Sequence, residues 1–280
     1  MTVLVTGARG RIGRAVVDRL HAAGTAVRAA SARPAELAVP AGVDTVELAL
    51  NRPETFAAAL SGIRRVFLYP EPAGIHDLVE AAGSAGVEHV VLLSSASVLA
   101  PGADTDPLAS HSLRVERALA DAPFTVTLLR PDAFAGNALG WAHPIGRRQP
   151  VRLAHPDAAL APIHPDDIAD IAVRALAGDD LAGRAITLTG PQSLTFREQL
   201  AVLSDVLGRD VPVEEITRAE AEREMGRYMP APVVGSLLDL WAAATVTPVA
   251  LADTTETLFG TPARTFARWA RENAAAFAGH

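Results

Sequence analysis

Two residue types are missing from this 280-residue chain, cysteine and lysine. Without cysteine there is no disulfide framework, no thiolate nucleophile and no zinc–thiolate site, so nothing points to secretion. All 25 basic residues are arginine, which removes Schiff-base chemistry and a phosphate-loop lysine from consideration. Only two tyrosines occur, Tyr69 and Tyr228, and neither can belong to a Tyr-x-x-x-Lys pair, in which a nearby cation lowers the phenol pKa for proton transfer. The formal charge of −7, with no arginine-rich face, argues against nucleic-acid or anionic-membrane partners. Arg147, Arg148 and Arg152 come closest to such a face, and three arginines read better as a solvated edge. No apolar run is long enough to span a bilayer, and the opening residues lack the positive start and apolar stretch of a signal peptide. The expected location is cytoplasmic.

What is present is concentrated at the start. Val3, Leu4 and Val5 form a short buried-strand pattern that breaks into Gly7-Ala8-Arg9-Gly10-Arg11-Ile12-Gly13 and continues as a helix with Ile12, Val16, Val17 and Leu20 on one stripe. A strand, a glycine turn and a helix in that order make a dinucleotide-binding signature. Gly7 allows the tight turn, Gly10 lets backbone approach a pyrophosphate, and Gly13 lets the helix pack close to the strand with its N–H groups facing the anion.

Further strands are expected at Ala26 to Ser31, near Asp44 to Leu48, at Arg65 to Tyr69, at Val90 to Ser95 and at Phe124 to Leu129, with helices at Ile75 to Ala85 and Leu108 to Leu119. Six strands alternating with helices predict an α/β doubly wound parallel sheet of the Rossmann type, with ligands at the carboxyl ends of the strands. After Arg130 the pattern changes to a proline-punctuated stretch, then helix Asp166 to Ala177, strand Ala185 to Thr189, helix Phe196 to Leu207 and a mostly helical remainder. The expected organisation is a dinucleotide-binding domain over 1–130 and a smaller, mostly helical substrate lobe over 131–280 that is partly interleaved with the first. A stripe of Phe266, Trp269, Asn273, Ala274 and Phe277 reads as a helix docking onto the core.

Cofactor choice is legible after the second strand. An NAD site places Asp or Glu there for the ribose 2′-hydroxyl, whereas this chain offers Ser31 and Arg33, with Arg9 in the glycine loop. Arginine forks suit a 2′-phosphate, so NADP(H) is the expected cofactor. The expected contacts are Gly7, Arg9, Gly10, Arg11, Ile12, Gly13, Ser31, Arg33, Leu68, Tyr69, Ser94 and Pro131. Ser94 and Ser95 close the fifth strand, where a hydroxyl can bond a carboxamide or polarise a carbonyl. His111 lies in the segment that would carry the missing tyrosine, so Ser95, Tyr69 and His111 are the candidate catalytic side chains. Phe134, Trp141 and His164 are candidate substrate contacts. Pro162-Ile163-His164-Pro165-Asp166-Asp167 invites a metal reading, but a helix start explains it better, because proline fits the first turn and two acids complement the positive helix end. No metal is expected.

Taken in order, Thr6-Gly7-Ala8-Arg9-Gly10-Arg11-Ile12-Gly13, Val27-Arg28-Ala29, Leu92-Leu93-Ser94-Ser95-Ala96, Val115-Glu116-Arg117-Ala118-Leu119, Leu129-Arg130-Pro131 and Ile163-His164-Pro165-Asp166-Asp167-Ile168-Ala169 resemble the NmrA-like atypical short-chain dehydrogenase/reductase family. The resemblance implies a Rossmann lobe, a smaller C-terminal lobe and a nicotinamide cofactor. It covers NAD(P)H-dependent quinone reductases, isoflavone-type reductases and regulators that bind the cofactor without catalysis. Two departures stand out: Leu48-Ala49-Leu50 where family members often have Gly-Asp-Leu, and an arginine after strand two that comes one position late, behind Ala32.

The expected function is NADPH-dependent hydride transfer to a small conjugated acceptor such as a quinone or enone. Such an acceptor becomes a delocalised anion and needs no strong built-in acid. The competing readings are a non-catalytic NADP(H)-sensing regulator and a biosynthetic tailoring ketoreductase or epimerase. The partner expected is a small-molecule substrate, with the chain a monomer or homodimer.

Overall fold

A computed structural model describes residues 1–279 of the chain. Two compact units emerge. The first comprises Met1–Asp104, Ala109–Pro131 and Pro165–Thr187, and the second Thr105–Leu108, Asp132–His164 and the described residues from Leu188 onward.

The first unit is built on strands β1 (Thr2–Val5), β2 (Ala26–Ser31), β3 (Asp44–Glu47), β4 (Ile63–Leu68), β5 (His89–Leu93) and β6 (Thr125–Pro131). Two short strands follow, β7 (Val151–Leu153) and β8 (Ala159–Leu160), and then β9 (Ala185–Leu188). The main sheet has the order β3-β2-β1-β4-β5-β6-β9, so a seventh strand joins the six read from the sequence. Backbone bonds from Leu128 N to Arg184 O and from Asp132 N to Leu188 O advance in the same direction along both chains, so β9 runs parallel to β6. Order reverses on either side of β1, the switch point at which doubly wound sheets bind ligands beyond their carboxyl ends.

The helices of this unit are α1 (Arg11–Ala22), α2 (Phe56–Leu60), α3 (Ile75–Ser84) and α4 (Ser110–Leu119), and after α5 (Ala142–Gly146) of the second unit comes α6 (Pro165–Ala177). Val16, Val17 and Leu20 are the buried face of α1. Helix α6 packs against α1 and buries Ile168, Ile171, Ala172 and Leu176. Each large aliphatic side chain so buried contributes about 2 kcal/mol. Arg19 of α1 bridges Asp166 at 2.9 Å and Asp170 at 2.5 Å, which fixes how the two helices slide past one another. Pro165 opens α6 with Asp166 and Asp167 in its first turn, the arrangement that satisfies and complements a helix start.

The second unit contains α5, α7 (Phe196–Leu207), α8 (Arg218–Met225), α9 (Ala231–Ala244), α10 (Thr254–Phe259) and α11 (Phe266–Glu272). It also holds two small sheets, in which β7 pairs with β11 (Val213–Glu215) and β8 with β10 (Leu194–Thr195). Helices α7 and α8 open on full capping boxes, Thr195 with Glu198 and Thr217 with Glu220. Its core is aromatic. Phe196 meets Trp141 edge-on at 5.7 Å and Trp241 at 5.0 Å, and Phe266 stacks on Trp269 at 5.4 Å. The terminal stripe is not one helix: α11 stops at Glu272, and a 3₁₀ turn over Ala274–Phe277 brings Phe277 edge-on to Trp269.

Candidate active site

The cradle begins with two glycines. Gly7 adopts φ +62°, a region open to glycine, and a Cβ there would stand 2.8 Å from Cβ of Tyr69. A Cβ on Gly13 would stand 2.4 Å from the Gly7 carbonyl oxygen, so α1 can start this close to β1 only if residue 13 has no side chain. Gly10 caps the helix, donating to Gly7 O and accepting from Arg14 N, both at 2.9 Å. Arg11 and Ile12 follow as the first exposed and half-buried positions of α1, whose opening turn carries no acid. A helix start of this kind leaves N–H groups directed at an anion.

Beside this cradle lies a cavity of about 260 Å³ lined by Thr6, Gly7, Arg9, Ser31, Leu48, Ala49 and Tyr69, with Leu68 and Glu71 at its border. Leu48 and Ala49 are buried and make part of its wall apolar, where the family often has an acid. Thr6 ties the loop to β4, donating its hydroxyl to Phe67 O at 3.2 Å and accepting from Tyr69 N at 2.7 Å. These residues fit a dinucleotide: a glycine cradle that a Cβ would fill, a helix start and an adjoining cavity of mixed polarity.

The arginines expected to meet a phosphate are not merely solvated. Arg9 Nη2 lies 3.2 Å from Glu36 Oε2, and Arg33 Nη1 lies 2.9 Å from Glu36 Oε1. Glu36 was passed over in the sequence because it lies five positions beyond the end of β2. The only hint was Pro34, which favours the tight turn over Pro34–Glu36 that carries residue 36 back over residue 33. Ser31 contributes to the same turn by accepting from Arg33 N at 3.1 Å.

At the ends of β5 and β6 the expectations need correction. Strand β5 stops at Leu93, and Ser94 and Ser95 lie beyond it. Ser94 is buried and donates its hydroxyl to Glu116, whose carboxylate also receives Arg130 through Nε at 2.9 Å and Nη2 at 2.6 Å. Its proton is therefore engaged inside the fold, and its oxygen keeps only the capacity to accept. Ser95 caps a 3₁₀ turn, accepting from Ser97 N at 3.2 Å and sharing a 2.9 Å hydrogen bond with Ser97 Oγ. The residue is half-buried. Pro131 is buried at the end of β6.

Tyr69 is exposed, and the next residue links it to the other candidate donor. His111 Nε2 lies 3.0 Å from the Pro70 carbonyl oxygen. A carbonyl only accepts, so Nε2 carries the proton and Nδ1 of the neutral ring is left as an acceptor. His111 also lines a second cavity of about 480 Å³ with Glu71, His76, Arg114 and Arg117. Residues forty-one apart in sequence are thus brought into contact.

In the second unit, Phe134 is half-buried and its segment pairs with Ile163. Trp141 is half-buried and packs edge-on against Phe196 at the margin of that unit's core. His164 is buried and its Nε2 lies 2.9 Å from Glu272 Oε2. Arg268 foremost, and then His164, hold the Glu272 carboxyl below its ordinary range against the effect of burial. Asp132, which the sequence reading passed over, is pushed above its ordinary range by burial, against hydrogen bonds from the backbone of Ala133 and Ala161. Among the described residues, no helix is long and apolar enough to cross a membrane.

The sequence matches the family described as NAD(P)H-binding over residues 7–179. It is 38% identical over 286 residues to (4-alkanoyl-5-oxo-2,5-dihydrofuran-3-yl)methyl phosphate reductase of Streptomyces griseus subsp. griseus, with 99% of each chain covered. It is 33% identical to NAD(P)H azoreductase of Xenophilus azovorans, covering 98% of this chain and 99% of the relative. The fold also matches an NADPH-dependent quinone oxidoreductase of Escherichia coli solved with NADPH, at TM-score 0.81 and 23% identity over 97% of this chain and 99% of the other. The chain belongs to the NAD(P)H-binding family and is an NAD(P)H-dependent oxidoreductase of the atypical short-chain dehydrogenase/reductase type.

Proposed function

We propose that this chain is an NADPH-preferring reductase that delivers hydride to a small conjugated acceptor, such as a quinone or an enone. The observation that carries the reading is the pair of arginines, Arg9 and Arg33, converging beside the glycine cradle at the end of β2, where an NAD site would present an acid of its own. The start of α1 would hold the pyrophosphate, the apolar wall at Leu48 and Ala49 would take the adenine, and the two arginines would take the 2′-phosphate.

The bound cofactor supplies the hydride. The protein's task is then to place the acceptor and stabilise the anion that forms. In a conjugated acceptor that charge spreads over carbonyl oxygens, so one modest donor is enough. Ser95 offers a hydroxyl held by Ser97 and Tyr69 an exposed phenol. His111, when protonated, offers an Nδ1–H on a ring already oriented by Pro70. A simple ketone would instead need a proton delivered at nearly full strength, and a chain without lysine has no cation of that type to activate a tyrosine.

The substrate named for one relative, an oxo-dihydrofuran bearing an alkanoyl group, is in keeping with this reading. The Streptomyces griseus protein is named as the reductase of a (4-alkanoyl-5-oxo-2,5-dihydrofuran-3-yl)methyl phosphate, and the Xenophilus azovorans protein is named as an azoreductase. The test is cofactor oxidation by purified protein against matched quinones, enones and saturated ketones, with NADPH and NADH in parallel. Conjugated acceptors should turn over and saturated ketones should not, with NADPH the better donor. Equal rates for enones and their saturated counterparts would overturn the acceptor reading, and faster turnover with NADH would overturn the cofactor reading.

A further inference from the structure

We propose that Glu36 sets the cofactor selectivity of this protein, acting as a built-in carboxylate that competes with the 2′-phosphate for Arg9 and Arg33. The inference deepens the cofactor reading above and rests on it.

Both arginines contact the same carboxylate, one oxygen each. Arg33 reaches it within a single 3₁₀ turn, in which Glu36 N donates to Arg33 O at 3.1 Å and Leu37 N donates to Pro34 O at 3.0 Å, so side chains three apart eclipse. Arg9 reaches it from the glycine loop, a different part of the chain. A single anion bridging two cations beside a cavity reproduces the charge pattern of a bound phosphate.

The consequence is a balance between two cofactors. A 2′-phosphate must displace Glu36 from two ion pairs and then tolerate its charge nearby, which erodes the advantage the arginines give to NADPH. A free ribose 2′-hydroxyl meets a carboxylate that can accept its hydrogen bond, the role an acid plays in NAD sites. All three side chains are about half or more exposed, so the exchange requires little rearrangement. Exposed ion pairs of this kind are individually weak, so the bridge can be opened by a ligand.

The test is calorimetric titration of the full chain, which needs no turnover. The ligands are NADPH, NADH, adenosine 2′,5′-bisphosphate and adenosine 5′-monophosphate, measured on wild type, Glu36→Gln, Glu36→Ala and Arg33→Ala. Both Glu36 variants should bind NADPH and the bisphosphate about tenfold more tightly, and NADH and the monophosphate no more tightly than wild type does. If both leave phosphate-ligand affinity unchanged while Arg33→Ala weakens it, the role of Glu36 is wrong and the docking of the phosphate stands. If Arg33→Ala also leaves NADPH unaffected, the docking itself is wrong and the proposal falls with it. A gain of the same size for ligands with and without the 2′-phosphate would likewise overturn it.

Discussion

Two of the arginine–glutamate clusters in the first unit are built differently. In one, Glu116 and Arg130 have side chains only 8% and 18% exposed, and the guanidinium grips the carboxylate through two nitrogens while Ser94 donates to it as well. In the other, Arg9, Arg33 and Glu36 are 51%, 66% and 44% exposed, and the carboxylate is split between two partners. A buried, doubly bonded pair has little to exchange with, and breaking it strands a charge. An exposed, divided bridge is worth little to the fold and can be traded for a ligand. Similar residue types therefore support structure in one place and recognition in the other, and burial decides which.

The largest effect should come from the buried pair. Glu116→Ala leaves Arg130 and Ser94 without their acceptor and should lower unfolding stability by about 3 kcal/mol, read by urea denaturation. A loss no larger than that of Glu36→Ala would erase the distinction between the clusters. The exposed cluster should respond in the opposite way. Arg33→Ala should weaken NADPH binding about tenfold, leave NADH unaffected and leave the melting temperature near that of wild type.

An intermediate case tests whether burial is the governing variable. Arg65 is 14% exposed and donates to Leu176 O and Gly178 O at 2.9 Å each, and to the exposed Asp179. His89 packs in the same region, with Nε2 2.8 Å from Thr127 Oγ1. Burial first, then the charge of Arg65, lowers the His89 pKa, with Asp179 opposing. A histidine with a depressed folded-state value is protonated first in the unfolded chain, so stability should fall as pH drops below about 6.5. His89→Gln should flatten that part of the stability–pH curve, and an unchanged slope would remove His89 as the cause. The smallest effect belongs to Arg64 and Glu88, an ion pair whose side chains are both more than half exposed, where Glu88→Gln should leave the melting temperature unchanged.

Much of the frame was legible because it depends on local pattern. Strand β2 and helix α7 have the bounds read from the sequence, since turn signals and a capping box mark their ends. Gly7, Gly10 and Gly13 announce the cradle because an apolar strand pattern precedes them and a helical stripe follows. The position of Ser94 at the strand end says nothing of the Glu116 side chain on α4 to which its hydroxyl donates. Aromatic content cannot tell a core from a cleft, so the edge-on contact of Trp141 with Phe196 was not legible in the sequence. Glu36 escaped notice because its partner Arg9 lies twenty-seven residues earlier.

The sequence by itself determined the glycine cradle, the alternation of strands and helices and the absence of a Tyr-x-x-x-Lys pair, because turn geometry, hydrophobic period and residue inventory act over short stretches or by simple presence. The tertiary structure alone decided which arginines were buried, which carboxylate each one met and which serine hydroxyl donated to a carboxylate. Those outcomes depend on desolvation and on distances between residues far apart in the chain.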